Sequence, residues 1–312
     1  MFSNLNNLPK TNDLFFWSDF IELHTLTHLD KLYSRGDLAS LMHIEREFHL
    51  DDNCSEKKSD SYETKWMEYI NYCHARKATF ASNYPFKISS DLDTLELNYD
   101  EKNPYQKLYL FLLIASSLRY IEKIHMNEIT HSFEKVSFQV FKKIMPKGSE
   151  VHPTWAHGDQ KMRYRGKLYE KMLQLQKDLR ASGSIEEDDF KPNNTGDGGI
   201  DIVAWHPMGD ETEGMPISFA QCSCSQTDWR FKTSEACFSK HRQKFNVMHP
   251  WAAYYFMPLD FRKRNKWPYK SDLGEIIIVD RLRIMNLSVQ YQLAKSFPDL
   301  SHVDTAYHSE II

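Results

Sequence analysis

The pattern of apolar positions changes near residue 146 of the chain. Before it, apolar residues recur at helical spacing, as Phe133, Val136, Val140 and Ile144 do at intervals of three, four and four. The same periodicity predicts helices over residues 15–26, 36–48, 61–80, 105–124 and 128–144, with exposed loops at 51–61 and 91–103. We therefore predict an all-helical domain over residues 1–145, with a sensor, specificity or oligomerisation role.

Beyond that point, helical segments alternate with short apolar strands. Residues 146–164 have the Pro, Gly and His content of a linker, and residues 165–312 form a second predicted domain. The patterns there predict a helix at 167–181, strands at 188–192, 200–205 and 217–224, a helix at 233–248, strands at 252–257 and 275–279, and a helix at 287–297. The predicted fold class is α/β, or α+β for the whole chain.

Composition limits the class of protein. The chain has 312 residues, is 41% hydrophobic and 26% charged, and carries a formal net charge of −4, which is typical of a globular protein and not of a basic nucleic-acid coat. Five cysteines are an odd number and argue for a reducing compartment. Since no apolar run approaches the roughly 20 residues of a bilayer span, and no secretory signal is evident, we expect a cytoplasmic protein without membrane contact.

Charge is distributed unevenly. Residues 228–266 hold nine Lys and Arg against three acidic residues, with aromatic residues among them. Such a segment suits contacts to phosphates and stacking on bases, although a solvated face and ordinary core packing would give the same pattern. The predicted nucleic-acid contacts are Arg230, Lys244, Arg262, Lys263, Arg264 and Lys266.

Candidate chemistry concentrates where two predicted strands meet. Asp197 and Asp201 lie at the start of one apolar strand, and Gln221 lies near the end of the next. Oxygen ligands of this kind suit a hard cation such as Mg²⁺ or Mn²⁺, which can activate water and neutralise charge on a phosphodiester. The alternative for Asp197 is a turn in which its side chain binds its own backbone.

The run Gly196-Asp197-Gly198-Gly199-Ile200-Asp201, followed by Gln221, resembles the PD-(D/E)XK nuclease superfamily, and most closely the Mrr-like restriction endonucleases. The resemblance covers about residues 160–285 and implies a restriction-endonuclease-like αβββαβ core. It implies that Asp201 binds the metal, that Gln221 points at the same metal or its water, and that DNA is the substrate.

The sequence departs from the family pattern at Ser223, where the family has a lysine that orients the attacking water. A basic residue on the following helix is one replacement, with Lys240 as the first candidate and Lys232 as the second. The other interpretation is a site that no longer cuts. Glu170 on the first helix resembles a further family ligand, or is an exposed carboxylate paired with a neighbouring lysine.

A zinc site is the alternative use of the cysteines near this motif. Cys222 and Cys224 alternate along a strand, and Cys237 and His241 lie one helical turn apart. Four such side chains could form a tetrahedral zinc site. The spacing matches no established zinc module, so we favour buried cysteines that pack as small apolar groups.

Three functional hypotheses follow from these observations. The first is a Mg²⁺-dependent endodeoxyribonuclease, and the resemblance suggests bacterial defence against phage or foreign DNA. The second is an inactive DNA-binding module with the same fold. The third is an interaction protein whose N-terminal domain binds a second copy of the chain or a partner subunit of a defence complex.

Overall fold

The structure is a computed structural model that describes residues 1–47, 59–155, 162–226, 228–262, 266–267 and 273–309. Its class is mixed α/β, as predicted, with helices and two sheets in the described chain. The chain divides into two compact units. Unit 1 comprises Met1–Ser132, Pro258–Arg262 and Pro298–Ile312, and unit 2 comprises Phe133–Met257 and Lys263–Phe297.

Unit 1 contains helices and a small antiparallel sheet. The helices are α1 (Leu14–Thr27), α2 (Arg35–Glu47), α3 (Ser59–Phe80), α4 (Pro104–Ser116), the first part of α5 (Lys123–Ile144), and α10 (Ser301–Tyr307). The strands β1 (Leu32–Ser34), β2 (Phe86–Ile88) and β3 (Thr94–Leu97) pair in the order β1-β3-β2. Every residue of α4 from Leu108 to Ala115 is fully buried, so this helix forms the centre of the unit.

A buried ion cluster also lies in unit 1. Arg76 on α3 is 2% exposed and pairs with Asp19 at 2.7 Å, Glu22 at 2.9 Å and Asp260 at 2.9 Å. Buried charges are tolerated only when they are paired and hydrogen-bonded. The cluster therefore ties the short segment Pro258–Arg262 to α1 and α3.

Unit 2 is built on a five-stranded sheet within the described residues. Its strands are β4 (Glu150–Pro153), β5 (Ile202–Trp205), β6 (Ile217–Cys222), β7 (Ala252–Phe256) and β8 (Ile276–Val279), in that spatial order. The first three strands are antiparallel, and β7 and β8 run parallel to β6. The helices of the unit are the rest of α5, α6 (Leu168–Asp178), α7 (Trp229–Lys232), α8 (Phe238–His241) and α9 (Arg281–Gln290).

The two faces of this sheet pack against different helices. Val203 and Phe219 belong to one apolar cluster with Leu168, Met172 and Leu175 of α6. On the other face, the ring of Phe141 on α5 contacts the rings of Tyr254 and Phe256 on β7. Both faces of the sheet are therefore covered, which explains the nearly continuous apolar runs in β5 and β7.

Several predicted elements need correction. The sheet in unit 1 was missed because its strands are only three or four residues long, so the N-terminal part is helical with a small sheet and not all-helical. Residues 187–189 form a 3-10 turn where the strand 188–192 was predicted, and β4 lies within the predicted linker 146–164. The predicted helix 233–248 is absent from the described chain, and the single turns α7 and α8 lie on either side of its start. Residues 105–124 form α4 and a separate 3-10 turn, because α4 ends at Ser116.

No helix among the described residues has the length and apolarity needed to cross a membrane.

Candidate functional site

The first part of the candidate site is a glycine-rich turn that precedes β5. Gly198 and Gly199 have φ values of 70° and 84°, a region that L side chains rarely adopt. A Cβ on Gly199 would lie 2.7 Å from the Cβ of Glu235, so this position is also sterically closed to other residues. In this turn the Oδ1 of Asp197 accepts a hydrogen bond from the Gly199 amide at 2.7 Å. Asp197 therefore makes the contact with its own backbone that was the alternative to a role as a metal ligand.

Asp201 is buried at the end of the same turn. Its amide donates to the carbonyl of Ala220 at 2.9 Å, and its Oδ2 accepts from the Cys222 amide at 2.6 Å. Burial raises the pKa of the Asp201 carboxyl well above its usual range, and the charges of Asp197 and Glu134 raise it further. Asp201 also shares a hydrogen bond with the Asp197 side chain. The structure thus brings two of the three predicted metal ligands into contact.

Gln221 lies on β6, where the register places it opposite Asp201. Its side chain is buried, and its Nε2 donates a short hydrogen bond to the Oε2 of Glu235. Its Oε1 is buried without a hydrogen-bond partner. An unsatisfied buried oxygen is costly in free energy, so this atom is a ready acceptor for a cation or for a donor group.

Glu134 on α5 is a site residue that the sequence analysis missed. Its charge raises the pKa values of Asp201, Cys222 and Cys224. Burial raises the pKa of the Cys222 thiol, and the side chain of Ser137 on the same helix lowers it. Glu134 stands 67 positions before Asp201 on a helix whose pattern shows only an apolar face, so no local signal could have identified it.

The candidate replacements for the strand lysine differ in their surroundings. Ser223 is buried, and its side chain acts on the Tyr255 hydroxyl, whose pKa burial raises. Lys232 is half-buried at the end of α7, and its charge lowers the pKa of Cys224, the thiol whose pKa Glu134 and Asp201 raise. Lys240, predicted as the first candidate, is exposed, and its charge acts on Cys237 and His241 instead. Of the two lysines, Lys232 is therefore the one whose charge acts on the same thiol as Glu134 and Asp201, which makes it the stronger candidate.

The remaining predicted residues have other surroundings. Glu170 is exposed, and its Oε2 accepts the Lys167 amide at 2.8 Å, so it caps the start of α6. The Nζ of Lys244 lies 4.9 Å from the centre of the Phe190 ring. The backbone oxygen of Arg262 in unit 1 accepts the Tyr72 hydroxyl, and Lys266 in unit 2 is exposed. Lys263, Arg264 and the side chain of Arg230 lie outside the described residues.

The cysteines near the site pack as free thiols. Cys224 is buried, and Cys222 and Cys237 are half-buried. His241 is buried too, and burial lowers its pKa to about 4, while its Nε2 lies 2.7 Å from the Glu235 carbonyl. Within the described part of the chain, no group of three or more His, Cys, Asp and Glu side chains is placed to hold a metal ion. Cys224 and His241 are thus buried, as the interpretation favoured from the sequence requires, whereas Cys222 and Cys237 are only partly so.

The oxygen donors fit a hard cation in one respect and not in another. Two hydrogen-bonded carboxyl groups and the unpartnered Oε1 of Gln221 lie at the start of β5 and on the adjacent β6. Mg²⁺ commonly uses one or two carboxylates and keeps several waters. A cage of three acidic ligands is not formed in the described chain. The donor set therefore suits a Mg²⁺ that keeps part of its hydration shell.

Comparisons with known proteins add little to this geometry. No family profile matches the chain, and no curated protein matches it in sequence. Among solved structures, the chain is similar to the MspJI restriction endonuclease in complex with a 27-mer oligonucleotide, at 12% identity and a TM-score of 0.30. The match covers 68% of this chain and 38% of that chain. A likeness at this level supports no inference about fold or activity.

Proposed function

We propose that the protein is a Mg²⁺-dependent endodeoxyribonuclease that hydrolyses phosphodiester bonds, with Mn²⁺ as an alternative cation. The observation that carries the proposal is the hydrogen-bonded pair of Asp197 and Asp201 at the start of β5, with the unpartnered Oε1 of Gln221 on the next strand. A role in defence against phage or foreign DNA rests on the resemblance of residues 196–201 to the Mrr-like motif.

Each residue has a distinct task in this proposal. Asp201 and Asp197 would hold the cation, which when bound activates water and neutralises charge on the scissile phosphate. Gln221 orients a water through its Oε1. Lys232 supplies the positive charge that Ser223 cannot, and stabilises charge on the attacking or leaving oxygen.

The DNA would approach past α7. Phe231 on this helix is 80% exposed and lies next to Lys232 in sequence. An exposed aromatic ring beside a cation is suited to stacking on a base and contacting its phosphate. Among the phosphate contacts predicted from the sequence, Lys244, Arg262 and Lys266 have described side chains, and Lys244 and Lys266 belong to the same unit as α7.

Plasmid cleavage tests the proposal directly. We expect the wild-type protein to nick or linearise plasmid DNA with Mg²⁺ or Mn²⁺ and to be inactive with EDTA. Asp201→Ala should abolish cleavage, while Asp188→Ala, which removes an exposed carboxylate of the same unit, should leave it unchanged. Equal cleavage by wild type and Asp201→Ala would contradict the proposal.

The same assay separates the two lysine candidates. Lys232→Met should lower the cleavage rate at saturating metal by about 10²- to 10³-fold, the usual cost of removing one group that stabilises transition-state charge. Lys240→Met should retain the wild-type rate, because Lys240 is exposed and acts on Cys237 and His241. The reverse result would restore the order predicted from the sequence.

An inactive DNA-binding module is the second candidate function. It is favoured by Ser223 at the lysine position. This module would shift DNA without metal, with an affinity that falls steeply with salt. DNA binding by wild type without cleavage, across several divalent metals, would select it over the nuclease.

A further inference from the structure

One lysine of α6 is buried and surrounded by backbone oxygens. Lys171 is 2% exposed and lies on the apolar side of its helix, three positions after Leu168 and four before Leu175. Burying an ammonium group without partners is costly, so its contacts must offset the loss of hydration. In the sequence, a lysine on the apolar face of a predicted helix was itself a signal of this burial.

The ammonium of Lys171 lies within hydrogen-bond distance of four carbonyl oxygens. These belong to Thr154 at 3.0 Å, Trp155 at 3.0 Å, Thr195 at 2.9 Å and Gly196 at 3.1 Å. An ammonium group has three N–H donors, so the carbonyls occupy all of them. Lys171 therefore has no donor left for a substrate or a water, and a catalytic role is excluded by its own contacts.

Both ends of the turn that carries the carboxyl pair are attached to this lysine. Thr195 and Gly196 directly precede Asp197. At the other end, the Thr154 amide donates to the Asp201 carbonyl at 3.0 Å, and the Thr154 hydroxyl donates a short hydrogen bond to the carbonyl of Ile200. The carbonyls of Thr154 and Trp155 accept from the same ammonium group. Lys171 therefore fixes the two segments between which Asp197 and Asp201 are held.

We propose that Lys171 is the positioning residue of the candidate site, which holds residues 195–201 in the conformation that brings the Asp197 and Asp201 carboxyl groups together. The expected effect of Lys171 on metal binding rests on the proposed function. The effect of Lys171 on the conformation of residues 195–201 does not depend on that function. Burial lowers the pKa of the Lys171 ammonium, and the charge of Asp197 opposes that shift.

The variants for the test are Lys171→Met, Lys171→Arg and the control Lys177→Met. Met retains the length of the buried side chain without its charge, and Arg retains charge and donors. Lys177 is an exposed lysine on the same helix. Hydrogen–deuterium exchange is measured for peptides covering residues 194–201, and Mn²⁺ affinity is measured by electron paramagnetic resonance of the full chain.

We expect the peptides over 194–201 to exchange at least tenfold faster in Lys171→Met than in wild type, with peptides of β6 and β7 unchanged. Mn²⁺ should bind about 10–100-fold more weakly to this variant, the usual cost of losing a group that orients a metal ligand. Lys171→Arg should recover part of both losses, which a general loss of stability would not allow. If Lys171→Met does not fold, Lys171→Arg is compared with wild type, and a smaller increase in loop exchange is expected.

Unchanged exchange of residues 194–201 in Lys171→Met would overturn the proposal. Faster exchange with wild-type Mn²⁺ affinity would overturn its link to the metal. If the wild-type protein neither binds Mn²⁺ nor cuts DNA, the nuclease function fails, while the exchange comparison still decides the role of Lys171.

Discussion

Replacing Asp201 by asparagine should stabilise the protein at neutral and alkaline pH in the absence of divalent metal. Burial and two nearby carboxylates raise the pKa of Asp201 well above 3.8, so the folded state disfavours its charged form. Above pH 3.8 the native protein then binds more protons than the unfolded chain, and the free energy of unfolding falls as pH rises through the folded pKa. Each unit of the shift corresponds to about 1.4 kcal/mol.

Asparagine imitates the protonated acid in this place. Its Oδ1 can accept the Cys222 amide, and its Nδ2 can donate to Asp197, so both hydrogen bonds of Asp201 are retained. The difference in unfolding free energy between Asp201→Asn and wild type should therefore grow from pH 4 to pH 8. Urea unfolding followed by tryptophan fluorescence measures this difference, and Asp188→Asn is the control because Asp188 is exposed.

Mg²⁺ should reduce this difference in stability at pH 8. If the ion binds the carboxyl pair, it stabilises the wild type by about 2.7 kcal/mol at a concentration of 100 times Kd, and it stabilises Asp201→Asn less because that variant lacks one charge. A stability difference that does not vary between pH 4 and pH 8 would refute the description of Asp201 as a buried, proton-binding carboxyl. A pH-dependent difference that Mg²⁺ leaves unchanged would refute only the metal site.

Two further substitutions test the surroundings of the site. Gly199→Ala should cost about 1–3 kcal/mol of stability and weaken Mg²⁺ binding, because the new Cβ would meet Glu235 at 2.7 Å. Gly209→Ala is the control, because Gly209 has a similar φ of 87° and a Cβ built there meets no atom within 4 Å. Equal losses of stability in the two variants would assign the effect to backbone strain alone. Phe231→Ala should weaken DNA binding by about 1–3 kcal/mol. The Tm should not change, because this ring is 80% exposed. Unchanged affinity in a gel-shift titration would exclude Phe231 as a stacking residue.

The elements that the sequence predicted well are those with a strong local pattern. Helices α1, α3 and α5 and strands β5, β6 and β7 all lie where apolar periodicity indicated them. The predicted helix 233–248 is helical only at Phe238–His241. The Ala236 carbonyl accepts the Trp251 indole at 2.8 Å, and the Lys240 amide donates to the Cys237 carbonyl, so the helical hydrogen bond between Lys240 and Ala236 is not made. Strand β4 was missed because its partner β5 lies 52 positions later in the chain, and such a pairing leaves no local signal.

The candidate site was accessible to sequence reasoning only in part. Asp197, Asp201 and Gln221 belong to one motif in the sequence. The register Ile202↔Ala220 follows because a hairpin joins β5 to β6. Glu134 enters from a helix far away in the sequence, and no spacing rule relates it to Asp201. The order of Lys232 and Lys240 depends on where a helix ends, which periodicity predicts poorly.

The balance of charge around Asp201 is the strongest physical argument for a bound cation. The two charges that act most strongly on it, those of Asp197 and Glu134, are both acidic. The nearby positive charge of Lys171 is already shared among backbone carbonyls, and that of Lys232 acts on the Cys224 thiol. The buried Asp201 carboxyl either holds a proton or binds an external cation. At neutral pH the two alternatives compete for the same oxygens, so metal binding should release protons and strengthen as pH rises.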